Sequence, residues 1–165
     1  RWKGSVLRLA WSPDARYLAT GDQDATVHFW VMAKAEDLQM WGYPSKVQHL
    51  AWDRTSSYLA TGGGEAITVW NCTGKGPEGR KPLVFEGHDA PISALAFQRR
   101  GALLASAGLD GAVRLWHPGR TRRCLGVAEF EADAICQLAW GETDGMLAVG
   151  TESGTVALLA TQPQH

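Results

Sequence analysis

Leu9-Ala10-Trp11 returns as Leu50-Ala51-Trp52, Leu95-Ala96-Phe97 and Leu138-Ala139-Trp140, at successive offsets of 41, 45 and 43 residues. A second landmark follows each copy: Leu18-Ala19-Thr20-Gly21, Leu59-Ala60-Thr61-Gly62, Leu104-Ala105-Ser106-Ala107-Gly108 and Leu147-Ala148-Val149-Gly150. A third ends each unit: Val27-His28-Phe29-Trp30, Ile67-Thr68-Val69-Trp70, Val113-Arg114-Leu115-Trp116 and Val156-Ala157-Leu158-Leu159. Three landmarks in one register, four times over, define a repeat architecture. In unit one, residues 5–11, 16–21 and 26–31 are apolar or β-branched, with turns at Ser12-Pro13-Asp14-Ala15 and Asp22-Gln23-Asp24-Ala25. Proline fixes its own backbone and donates nothing to a ladder, so the first strand ends there. A weaker fourth strand is expected near 37–42, with counterparts near 82–86 and 122–128. Four short strands form a sheet that cannot cover both of its faces, so neighbouring units must stack.

Composition excludes several classes. The chain has 165 residues, 16 basic against 17 acidic side chains and a formal charge of -1, with 45% hydrophobic and 20% charged residues. A disordered chain would be less apolar and further from neutrality. The charge balance removes the simplest case for a nucleic-acid or membrane-surface protein. The longest nearly apolar stretch, around Ala102 to Leu109, is too short to span a bilayer. Eight Trp and 19 Gly in this length suit many short strands joined by tight turns. Cys72, Cys124 and Cys136 contain no C-x-x-C pair and leave one thiol over, so no disulfide framework or structural zinc site is indicated. No metal or cofactor is expected, and a soluble, reducing, cytoplasmic setting fits best.

The third unit carries Gly87-His88, then Ser106-Ala107-Gly108-Leu109-Asp110-Gly111, then Trp116. With the repeat, these residues resemble the WD-repeat (WD40) β-propeller family over essentially the whole chain. The resemblance implies an all-β fold: a propeller segment of four four-stranded antiparallel blades, near residues 1–42, 43–86, 87–130 and 131–165. The last blade lacks an outer strand, so fifteen strands are expected. The segment is read as the C-terminal part of a larger propeller, a half-ring completed by further blades. A second copy forming an eight-bladed ring is the rival, and a closed four-bladed ring comes last. The family's buried tetrad falls on His88, Ser106, Asp110 and Trp116. Its chemistry is consistent, because an indole N–H only donates, a hydroxyl relays and an imidazole links hydroxyl to carboxylate. Unit one keeps Thr20, Asp24 and Trp30, with Trp2 at the histidine position. Unit two has Tyr43, Thr61 and Trp70, its Gly62-Gly63-Gly64-Glu65 turn being one residue short. Unit four has Glu131, Val149, Ser153 and Leu159, and is expected to be held by packing alone.

Sorting the turns by that family geometry separates charge. One face carries eleven basic and seven acidic side chains, a net of +4; the other carries three and ten, a net of -7. The acidic face is the one the family uses for peptides, which implies contacts at Gln23, Leu109 and Glu152 and at Lys46, Ala90 and Asp133. Carboxylates there favour a basic segment. The basic face is densest at Arg99, Arg100, Arg120, Arg122 and Arg123, a candidate anion site for phosphates, nucleic acid or an acidic partner. No aromatic residues interleave with these arginines, which disfavours a single-strand platform.

No nucleophile-elbow, phosphate-loop or zincin pattern occurs. Gly62-Gly63-Gly64 joins two strands and opens no helix. His88 beside Asp110 could be a general base, but the tetrad explains both residues together with Ser106 and Trp116. His28, His49, His117 and His165 lack ligand spacing and read as strand or terminal residues. The tryptophans read as blade packing, with Trp2 and Trp41 near strand ends. The expected function is a non-enzymatic protein-interaction scaffold, the alternative being anion binding through the basic face of blade three.

Overall fold

The computed structural model describes residues 4–121, 123–131 and 133–161. Blade one contains β1 (Val6–Trp11), β2 (Tyr17–Asp22), β3 (Val27–Val31) and β4 (Glu36–Met40). Blade two contains β5 (His49–Trp52), β6 (Tyr58–Gly62), β7 (Ile67–Asn71) and β8 (Leu83–Phe85). Blade three contains β9 (Ile92–Phe97), β10 (Leu104–Gly108), β11 (Ala112–Trp116) and β12 (Cys124–Glu129), and blade four β13 (Ile135–Trp140), β14 (Met146–Thr151) and β15 (Val156–Ala160). Each blade is an antiparallel meander in chain order. The fold is thus the expected propeller segment, with three strands in its last blade.

The landmarks face one another across each ladder. Leu9 pairs with Thr20, Leu50 with Thr61, Leu95 with Ser106 and Leu138 with Val149. The innermost strands pack in the order β1, β5, β9, β13. Three apolar clusters fill the three joints between four blades. Tyr17, Phe29 and Leu59 belong to the first, Ile67, Phe97 and Leu104 to the second, and Ile135, Trp140 and Leu147 to the third. Each fully buried side chain of this size contributes about 1.5–3 kcal/mol, so the joints hold the arc together.

Repeated polar contacts set the blade spacing. Trp52 Nε1 donates to the Ala10 carbonyl of the preceding blade at 3.3 Å, and Trp140 Nε1 to that of Ala96 at 2.9 Å. Gly21 is needed at the first joint, since a Cβ there would lie 2.5 Å from the Val47 carbonyl oxygen. Further out, the Asp144 carboxylate of blade four accepts from the backbone N–H groups of Arg99, Arg100 and Gly101 at 2.7–2.8 Å. At the first joint the Asp14 N–H donates to Ser56 Oγ at 3.1 Å. Ala15, Ser56 and Asp144 share a left-handed backbone with φ of 58°, 59° and 61°, so three of these turns have one shape.

Among the described residues the arc does not close. Trp11 is 55% exposed, whereas its counterpart Trp140 is 5% exposed. Val6 and Leu9 on β1, with Val156 and Leu158 on β15, leave apolar faces open at both ends.

Candidate functional site

The polar residues expected inside the blades form a different network in each. In blade three, Trp116 Nε1 donates to Ser106 Oγ at 2.8 Å, His88 Nε2 lies 2.7 Å from the same oxygen, and His88 Nδ1 lies 3.0–3.1 Å from both Asp110 oxygens. A carboxylate only accepts, so Nδ1 carries the hydrogen and Nε2 accepts from Ser106. The backbone N–H groups of Asp89 and Ala112 complete the Asp110 carboxylate. Burial holds His88 below its ordinary pKa against the pull of Asp110, which keeps the ring neutral. The order of groups is that of a Ser-His-Asp nucleophile. Ser106 is nevertheless 0% exposed and its oxygen is already engaged by an indole, so no substrate reaches it.

In blade two, Tyr43 takes the central place. Its hydroxyl accepts from Trp70 Nε1 at 2.7 Å and lies 3.0 Å from Thr61 Oγ1, which also lies 3.1 Å from the Thr68 carbonyl oxygen. In blade one the structure does not bring Thr20 to Asp24. Thr20 Oγ1 donates to Asp22 at 3.2 Å, Asp24 accepts from Thr26 at 2.8 Å, and His28 Nε2 lies 3.6 Å from Asp22. Trp30 rests against the His28 ring, and Trp2 lies outside the described residues. Burial pushes the Asp22 carboxyl up, opposed by the His28 charge. Blade four is not held by packing alone: Ser153 donates to Asp133 through both N–H and Oγ, and Thr151 Oγ1 lies 3.2 Å from Ser153 Oγ.

The loop-face residues share one backbone device. Gln23, Leu109 and Glu152 donate their N–H to the carbonyls of Ser5, Pro91 and Ala134, pinning each β2–β3-type turn to the chain leading into its innermost strand. Their side chains and that of Lys46 are exposed, while Ala90 and Asp133 are half-buried. On the opposite face, Arg99, Arg100 and Arg120 are exposed, but Asp144 sits beneath Arg99 and Arg100. Arg123 lies 5.6 Å above the Phe85 ring, half-buried, and Arg122 lies outside the described residues. The five arginines are therefore not one uniform cluster.

Sequence reading missed the channel. Arg8, Gln48, His49, Ser93 and Gln137, with Cys136, converge where the innermost strands meet. The available signal was the pair of residues preceding each Leu-Ala landmark. Among the described residues no group of three or more His, Cys, Asp or Glu side chains could hold a metal ion, and no helix is long and apolar enough to cross a membrane.

The family model described as "WD domain, G-beta repeat" matches residues 2–31 and 79–117. Protein HIR1 of Cryptococcus neoformans var. neoformans serotype D is 26% identical over 160 residues, 96% of this chain and 15% of that protein. "Cell division cycle 20.1, cofactor of APC complex" of Arabidopsis thaliana is 31% identical over 159 residues, 84% of this chain and 31% of that protein. "Probable cytosolic iron-sulfur protein assembly protein 1" of Mycosarcoma maydis is 29% identical over 113 residues, 68% of this chain and 22% of that protein. The chain spans less than a third of each of these relatives. With its repeated landmarks, its meander blades and these matches, the chain belongs to the WD-repeat family.

Proposed function

We propose that this chain is a non-enzymatic protein-interaction platform that engages a basic segment of its partner on the loop face carrying Gln23, Lys46, Ala90, Leu109, Asp133 and Glu152. The observation that carries this reading is the shared pinning of Gln23, Leu109 and Glu152, which keeps exposed side chains on a rigid frame. A preorganised surface loses little entropy on binding, and its acidic character speeds encounter with a cationic segment. Networks such as His88–Ser106–Asp110–Trp116 serve as internal support. WD repeats mediate protein association in general, and the relatives include a cofactor of one complex and an assembly protein.

The reading is tested with fluorescent peptides of matched length and opposite charge, measured by anisotropy against the wild-type chain and Glu152→Lys. Basic peptides are expected to bind more tightly, with affinity falling as salt rises and in the variant. Equal affinity for both peptide signs overturns it. Binding of anions through Arg99, Arg100, Arg120 and Arg123 is less well supported, because the Asp144 carboxylate places a negative charge against the backbone of Arg99 and Arg100 and the Phe85 ring takes up Arg123.

The open ends are proposed to be covered by further blades. Exposed Trp11 would then donate to a preceding innermost strand, as Trp52 and Trp140 do. Sedimentation of this 17.9 kDa segment alone should show ill-defined self-association through its apolar ends; a clean monomer or a discrete dimer would overturn the idea. Three free thiols fit the proposed cytoplasmic setting.

A further inference from the structure

The innermost strands β1, β5, β9 and β13 border an open cavity of about 290 Å³. Its polar lining comes from Arg8, Gln48, His49 and Gln137. A regular strand sends successive side chains to opposite faces, yet here neighbouring residues both reach the cavity. The cause is local. The ladder slips at Val6/Arg8 in β1, at Ala107/Gly108 opposite β9, and at Ile135/Gln137 in β13, and in blade two both Gln48 and His49 address Gly62. Such bulges re-aim side chains. They also leave three lining groups level: Arg8 faces Gly21, His49 faces Gly62 and Gln137 faces Gly150.

The lining holds a guanidinium, an imidazole and two amides, and it includes no carboxylate. Arg8 forms no ion pair among the described residues. His49 is held below its ordinary pKa by burial first and by the Arg8 charge second, so the two groups share one field. The set carries a positive charge and no negative one.

We propose that this channel is an oxyanion site in which Arg8, His49 and Gln137 together receive one phosphate or carboxylate group. Arg8 supplies the fixed charge, the Gln137 amide supplies a neutral donor, and His49 donates as imidazole at neutral pH and more strongly as imidazolium. The inference does not depend on the loop-face reading, because that surface selects cations and lies at the strand heads.

Cys136 is an exposed thiol on the cavity wall and provides the test. Cys72 is buried, with its thiol pushed up to about 12, and stays silent; Cys124 is replaced by Ser. Modification of Cys136 is timed with dianionic 5,5′-dithiobis(2-nitrobenzoate) and with neutral 2,2′-dithiodipyridine, glutathione serving as the reference thiol. The anionic reagent is expected to be favoured at Cys136 by about tenfold over glutathione. Arg8→Gln should abolish that preference, and Arg8 is exposed, so the fold tolerates the change. Inorganic phosphate and a neutral peptide bearing a single glutamate are then tried as protectants. Protection by phosphate alone assigns a free-phosphate site, and protection by the peptide assigns a site for an acidic side chain. Protection by neither, or a preference unchanged in Arg8→Gln, overturns the proposal. Should Arg8→Gln unfold, the titration of His49 followed by NMR in the wild-type chain decides the matter: bound phosphate raises its pKa, and an unmoved titration at saturating phosphate overturns the site.

Discussion

Blades two and three solve one problem with different chemistry. Both must satisfy a tryptophan N–H and a β-strand hydroxyl inside a sheet that faces its neighbours. Blade three uses a buried imidazole backed by a carboxylate, whereas blade two uses the hydroxyl of Tyr43, which needs no further partner. The phenol is the shorter solution, with fewer groups to satisfy and no charge to keep in place. The His88–Asp110 version reaches from the blade interior to the backbone of Asp89 and Ala112, and so ties the turns together as well. The difference teaches that the repeat conserves a hydrogen-bond requirement more strictly than a residue type. It also makes the two blades respond differently to truncation and to acid.

The largest contrast should come from Asp110→Ala. Three N–H donors lose their acceptor at once, and the Asp110 side chain is only 11% exposed. Hydrogen bonds to a charged group contribute more than neutral ones, so a loss of about 3 kcal/mol is expected in urea unfolding. Tyr43→Phe follows at about 1–2 kcal/mol, the cost of leaving the Trp70 indole and the Thr61 hydroxyl short of one partner. If the two variants cost the same, the charged part of the blade-three network adds nothing and the comparison fails.

Acid should separate the blades by a smaller margin. Burial holds His88 below its ordinary value near 6.5, so the unfolded chain takes up a proton first as pH falls. The stability this supplies is complete above about pH 6.5 and is lost as pH drops through the folded value. Asp110 acts in the same sense lower down: burial raises its pKa, but the Asp89 and Ala112 N–H groups and His88 outweigh burial and hold it below 3.8. Tyr43 behaves oppositely. Burial raises its pKa, so its contribution is complete below pH 10 and is lost only in alkali. His49 and His117 are also held down, by burial first and then by Arg8 and Arg120. The comparison is therefore made in the His49→Gln/His117→Gln variant. Between pH 7 and 5, amide exchange should accelerate severalfold in β10 and β11 relative to β6 and β7, once corrected for intrinsic rates. Parallel changes in both blades would show that His88 is not the sensor.

The strand plan was legible because it rests on local constraints, a period and proline or glycine turns, whereas the His88 network was legible only through the family resemblance, with which its donor and acceptor chemistry agrees. What escaped depended on register and on neighbours. Asp22 and Asp24 stand two residues apart in one turn, and only the end of β2 decides that Asp22 goes inside while Asp24 meets Thr26. Arg123 looked like part of a basic cluster, yet Phe85 of the adjacent blade offers its ring face. The Asp144 clamp joins turns more than 40 residues apart in sequence, which no spacing rule reveals. The channel set escaped for a similar reason, since a strict alternation of side chains sends one residue of each pair away and only the bulges bring it back.

Blade four sharpens the comparison from its weak end. Its polar group, Asp133 with Ser153 and Thr151, stands where blades two and three bury a tryptophan-linked network, but Leu159 replaces the indole and Ser153 is exposed. Hydrogen bonds from Ser153 and Thr151 hold the Asp133 carboxyl below its ordinary value; water reaches the same carboxylate freely, so removing one hydroxyl leaves another donor at hand. Ser153→Ala should therefore leave the thermal midpoint within replicate scatter, while exchange of the Glu152 and Ser153 amides speeds up because the turn loses its side-chain tether. A fall in midpoint as large as that of Tyr43→Phe would mean that the exposed trio carries the same structural duty as the buried hubs, and that burial is not what gives those hubs their strength.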